Sequence, residues 1–196
     1  MSYNEPPPPP PGGPGGLPPQ GGFGGAPQPG APAGVPRPAE LLNRFLARLI
    51  DHVLIGVVVV VSYVVLSSIL LSFTNSFLEL FLFWTLQSVV GAVIPLAYFG
   101  LMESNTGQTV GKMVLKLRTY GPDGVSKPTL EQALKRNAYS GLYILGIIPF
   151  IGWFVLYWAA PIAAAAYIAV TLNNDQPNHQ GWHDKFAGGT RVLQVG

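Results

Sequence analysis

The sequence predicts an all-α integral membrane protein: a helical bundle of about four hydrophobic segments, a small cytoplasmic β-hairpin and a disordered N-terminal tail. Three observations lead there. Charged residues make up only 10% of the 196-residue chain, against roughly 25% in soluble domains. Three long runs carry no formal charge when His is neutral, His52 to Leu78, Leu80 to Met102 and Asn137 to Asn174. All 11 Lys and Arg fall into three clusters that bracket those runs. Since a membrane helix needs ~20 apolar residues to cross about 30 Å of hydrocarbon, each of the first two runs is long enough to span.

Residues 1–38 hold 14 of the 20 prolines and 10 of the 24 glycines, with few apolar side chains. Such a segment cannot bury enough surface to offset its chain entropy, so it is predicted to be a disordered tail. Its "PPPPPP" stretch, residues 6–11, is expected to be locally polyproline II and to act as a solvated spacer. The opening "MSYNEPPPPP" has no basic n-region or apolar h-region, so the first membrane helix is expected to act as an uncleaved anchor. Residues 39–196 then form the transmembrane domain. Spans are expected at about 46–71 and 80–101, with a broken pair over 139–171 and a cytoplasmic loop at 103–136.

The first span opens with "RFLARLID". On a helix, Arg44, Arg48 and Asp51 lie on nearly one face, and Asp51 sits about a turn inside the apolar region. An unpaired carboxylate there costs up to ~2.5–3.5 kcal/mol at mid-membrane and less near the edge, so Asp51 needs a partner. It reads either as a structural ion pair or as a proton or cation site. His52 reads as an interfacial residue. Ser72 to Glu79 supplies the turn to the second span.

In the 103–136 loop, Met113, Leu115 and Leu117 alternate with Lys116 and Arg118 ahead of Gly121-Pro122-Asp123-Gly124. That is the signature of a strand and turn, hence the β-hairpin. Thr129 and Gln132 make a capping-box pattern. It should open a short helix from Leu130 to about Tyr139, whose Lys135 and Arg136 are placed to meet lipid head groups.

The run Asn137 to Asn174 has 38 residues, roughly 57 Å as one helix and far too long for a single crossing. "LGIIPFIGW", residues 145–153, supplies the break through Gly146, Pro149 and Gly152. A short hairpin or re-entrant pair is preferred, with one span plus an interfacial segment as the alternative. Pro161 is expected to kink its helix. If the three basic clusters all face the cytoplasm, both termini are cytoplasmic and an even number of crossings separates each cluster from the next.

Several chemistries are excluded. A chain without cysteine has no disulfide, thiol nucleophile or thiolate metal site, and a net charge of +2 is no nucleic-acid signature. "NTGQTVGKM" superficially resembles a phosphate loop, but Gly107 and Gly111 enclose three residues and Met113 follows Lys112. A P-loop needs four, then Ser or Thr. His179, His183 and Asp184 are conceivable metal ligands, yet Gly181 weakens the helix that would bring the histidines together, so structural or capping roles are expected. No nucleophile or acid–base constellation is assembled. The expectation is a non-enzyme with no cofactor, no metal site and no catalytic residue.

Three ordered motifs, "RFLARLID", "TGQTVGKMVLKLR" and "WHDKFAGGTRV", resemble the RDD family of bacterial membrane proteins over about residues 41–195. The arginine and two aspartates of the family's name correspond to Arg44, Asp51 and Asp184. The family usually has one glycine before the threonine; here Gly188 and Gly189 both precede Thr190. A Pro/Gly-rich tail on such a domain is similar to the proline-rich antigens of actinobacteria. The resemblance implies a helical domain in the bacterial cytoplasmic membrane, and transport has been suggested for the family. Asp184 follows the last apolar run closely, so Arg44 is expected to lie between Asp51 and Asp184 and tie the chain's ends together. The functional expectation is a non-catalytic accessory or scaffold protein. Its partners would be membrane lipids and other membrane proteins or further copies of itself, and not nucleic acid. The alternative is a small oligomeric transporter or cation/proton exchanger using Asp51.

Overall fold

The computed structural model describes residues 36–71, 76–175 and 178–195. Nearly all of the Pro/Gly-rich tail lies outside the described residues. Its last three positions do not, and of these Arg37–Pro38 form a short strand, β1.

Helix α1 (Leu41–Leu70) and helix α2 (Phe77–Thr106) each have 30 residues. At 1.5 Å per residue each is about 45 Å long, some ten residues more than the hydrocarbon needs. The charged residues of α1, Arg44, Arg48 and Asp51, all lie in its N-terminal part. Helix α2 starts at a capping box in which Ser76 Oγ accepts the Glu79 N–H and Glu79 accepts the Ser76 N–H. It ends at Gly107, whose φ of 76° closes the helix.

The long uncharged run splits asymmetrically. Ala138–Ile147 is a 3-10 helix. A chain reversal follows, with Phe150 at φ 58°, then a π-helical turn at Gly152–Leu156 and helix α5 (Tyr157–Asn174), which contains Pro161. The 3-10 rise of ≈ 2.0 Å per residue lets ten residues reach about 20 Å, short of a full crossing. Among the described residues, three helices are therefore long and apolar enough to span, Leu41–Leu70, Phe77–Thr106 and Gly152–Asn174, where about four segments were expected.

The expected β-hairpin is replaced by a three-stranded antiparallel sheet in which Arg191–Gln194 (β3) lies between β1 and Leu117–Tyr120 (β2). Strand β2 does not pair with the residues after its turn. It pairs with β3, Leu117 opposite Gln194 and Tyr120 opposite Arg191, and β3 pairs with β1 on its other edge. The turn itself forms, with Asp123 Oδ1 accepting the Val125 and Ser126 N–H groups. A return strand has no room, because Thr129 already caps helix α4 (Leu130–Asn137) in a reciprocal box with Gln132. Upstream, Val110–Val114 form a short helix, α3, which takes in Met113, the first residue of the expected strand alternation. Thr109 Oγ1 caps it by accepting the Lys112 N–H at 3.4 Å.

Helix α6 (Trp182–Phe186) precedes a turn in which Gly188 and Gly189 have φ of 89° and 96°. Two successive left-handed residues suit glycine alone, which accounts for the doubled glycine before Thr190. Ala39, Ala47, Leu117 and Val192 form a buried cluster that seats the sheet against the start of α1. The start of α1 and the end of α2 thus share one polar end of the bundle with α3, α4, α6 and the sheet.

Candidate functional site

Among the described residues the polar end holds three buried carboxylates on three elements, Asp51 on α1, Glu103 on α2 and Asp184 on α6, each no more than 1% exposed. A buried charge is tolerated only when it is paired or richly hydrogen-bonded: Glu103 and Asp184 are paired with cations, and Asp51 is held by hydrogen bonds alone.

Asp184 is the most heavily bonded. Arg44 Nη1 donates to Oδ2 at 3.2 Å, and Arg136 Nε lies 3.0 Å from Oδ1. The Gly181 N–H and Thr190 Oγ1 each add a contact at 3.2 Å. Burial would raise the Asp184 pKa, but Arg136, His183 and Arg44 outweigh it and hold the carboxyl well below the usual carboxylate range. Arg44 also donates from Nε to the Ala39 carbonyl at 3.0 Å and from Nη2 to the Val192 carbonyl at 3.2 Å. One guanidinium therefore joins α1, the end of β1, β3 and α6.

Asp51 is held differently. Its Oδ1 accepts from Tyr98 Oη and from the Gly111 N–H, both at 2.8 Å, and its Oδ2 accepts from Thr109 Oγ1 at 2.6 Å. The expectation that Arg44 bridges Asp51 and Asp184 is corrected here: Arg44 takes Asp184, while Asp51 is satisfied by two hydroxyls and a backbone amide. The reason is the approach of α3, which packs so closely that a Cβ on Gly111 would stand 2.0 Å from the Ala47 carbonyl oxygen.

Glu103 was not anticipated. It accepts from Lys112 Nζ at 2.5 Å and from Asn137 Nδ2 at 3.3 Å, with Arg136 Nη1 at 3.7 Å. Its signal in the sequence is modest: it is the first charge after the second apolar run. Burial, partly offset by Glu103, pushes the Lys112 ammonium down to about 8. Arg136, expected at the lipid surface, is instead buried at 5% exposure between Asp184 and Glu103. Burial works against its charge, but the two carboxylates raise its pKa. Lys135 faces outward and pairs with Glu131 one turn earlier.

Arg48 has no carboxylate partner among the described residues. It donates from Nη2 to Asn137 Oδ1 at 2.9 Å and to Tyr139 Oη, and its guanidinium lies 3.4 Å from the centre of the Phe99 ring. His52 Nδ1 is 2.7 Å from the Arg48 carbonyl oxygen. His183 is buried with Nε2 3.7 Å from Asp184 Oδ1, and burial pushes its pKa down to about 4. His179 bonds only through its N–H to the Asp175 carbonyl in the described contacts. A cavity of about 140 Å³ opens beside the cluster, lined by Arg44, Arg48, Asp51, Lys112, Arg136 and His183, with an apolar wall from α1 and α5.

The model of the RDD family matches residues 38–188 of the chain. No curated protein and no solved structure is significantly similar to it.

Proposed function

This chain belongs to the RDD family, and on that premise we propose that it is a non-catalytic accessory or scaffold protein of the cytoplasmic membrane. In this reading the charge cluster is a structural lock. The observation that carries it is the saturation of the three carboxylates: Asp51, Glu103 and Asp184 each accept from fixed donors on other elements. A carboxylate that carries a proton or cation across a membrane must release its partners in every cycle, and these are built to keep them. Helix α1 adds a reason. It buries only Ala47, Asp51 and Ile55, leaving the rest of its length as apolar surface for lipid or for a helix of another membrane protein.

The exchanger reading has one observation on its side, that Asp51 lines the cavity. Proteoliposomes separate the two. The account expects proton and sodium flux no greater than in protein-free vesicles, for the parent and for Asp51→Asn alike. It also expects stable co-purification of other membrane proteins from native membranes. Flux through the parent that Asp51→Asn abolishes would sink the accessory reading.

A further inference from the structure

The cluster around the three buried carboxylates carries one cation more than they match. Arg44, Lys112 and Arg136 pair with Asp184 and Glu103, and Asp51 is held by hydroxyls and an amide. Counting Arg48, four cationic side chains face three carboxylates, with His183 neutral. The surplus belongs at Arg48, whose polar partners among the described residues are uncharged. Its Nε is buried without a hydrogen-bond partner, and so is Nδ1 of His183. Both residues line the same cavity. The open Arg48 Nε–H beside an unbalanced cation is suited to an anionic acceptor.

The other wall of the cavity says what kind of anion. It is formed by Phe45 on α1 and by Ala165, Ile168, Ala169 and Leu172 on α5, so it lies between two of the helices long enough to span. A soluble anion gains nothing from that wall, but an anion carrying hydrocarbon does. The volume, about 140 Å³, equals roughly four to five waters at ~30 Å³ each. That admits a phosphate group but not acyl chains, which must lie outside along α1 and α5.

We propose that this cavity is a specific site for an anionic phospholipid, whose phosphodiester monoanion pairs with Arg48 and whose chains run down the apolar faces of α1 and α5. The site does not depend on whether the protein is an accessory component or an exchanger. It differs from attraction of lipid to exposed surface charge, for which Lys135 is the control.

The test is native mass spectrometry of the full chain released from nanodiscs of phosphatidylcholine with phosphatidylglycerol. The expected result is one phosphatidylglycerol retained per chain, no phosphatidylcholine retained, and at least a tenfold loss of retention in Arg48→Gln. Lys135→Gln should retain lipid as the parent does. Ala169→Phe, which fills the cavity without touching a charge, should lose retention too, and it decides the matter if Arg48→Gln does not fold. Equal retention of both lipids by the parent, or retention unchanged in Ala169→Phe, would overturn the site. Displacement of the lipid by millimolar inorganic phosphate or by a free fatty acid would show a site for another anion and would also overturn it.

Discussion

Arg44 and Asp51 lie on nearly one face of α1, yet they answer to different partners: Arg44 to Asp184 and two backbone carbonyls, Asp51 to Tyr98, Thr109 and Gly111. The exchange Arg44→Asp with Asp51→Arg therefore creates two buried mismatches instead of preserving a pair. Its expected effect on the melting temperature is at least the sum of the single changes, and recovery toward the parent would show that the two residues pair after all. His183 supplies a pH dependence. Its pKa is near 4 when folded and ordinarily about 6.5, so between those values the unfolded chain binds the extra proton. Stability is then present above about pH 6.5 and falls as the pH drops toward 4, by on the order of 3 kcal/mol. Melting at pH 7.5 and pH 5 should show this fall in the parent, and His183→Gln should flatten it. Asp51 was legible as a residue needing a partner, because a charge inside a long apolar run stands out, and Asp184 was joined to Arg44 and Asp51 through the family resemblance. Their pairing was not, since helix spacing places Arg44 near Asp51 but is silent about Thr109 and Gly111 on another element.

At the scale of elements, local signals were read more reliably than distant ones. The capping pattern at Thr129 and the break over residues 145–153 are both written in adjacent residues, and the structure has a reciprocal cap at the one and a chain reversal at the other. The partner of β2 was not legible. Strands of four residues carry little periodicity, and β3 lies more than seventy positions away, so nothing local names it. The alternation over residues 113–118 reads as a strand, but the strand forms only from Leu117, and the start of the alternation at Met113 belongs to a helix, set by the cap at Thr109 and the grip of Asp51 on the Gly111 N–H. That contact makes Gly111→Ala informative. A Cβ there meets the Ala47 carbonyl at 2.0 Å and the Asp51 carboxyl carbon at 3.1 Å, and neither is the free end of a flexible side chain. Helix α3 must move away from α1, an overpacking cost of about 1–3 kcal/mol or more, seen as a lower melting temperature. An unchanged melting temperature would mean that α3 does not dock as described.

For the whole molecule, the pairing of β1 with β3 places residues 37–38 and 193–194 side by side. Both described ends therefore lie at one end of the bundle. If that end faces the cytoplasm, as the positive-inside rule predicts, reporters fused to either terminus should be active only if they work in the cytoplasm, and activity outside at either one would contradict that prediction. The end-to-end tie passes through the charge cluster, and Arg136 is its pivot, the cation that touches both Asp184 and Glu103. Removing one partner of a buried ionic network typically costs ~3–5 kcal/mol, because the carboxylates left behind stay desolvated. The melting temperature of Arg136→Gln in nanodiscs, against the parent, tests the lock most directly. The account predicts a large fall or outright loss of folded protein, whereas a variant that melts with the parent would contradict a structural role for the cluster.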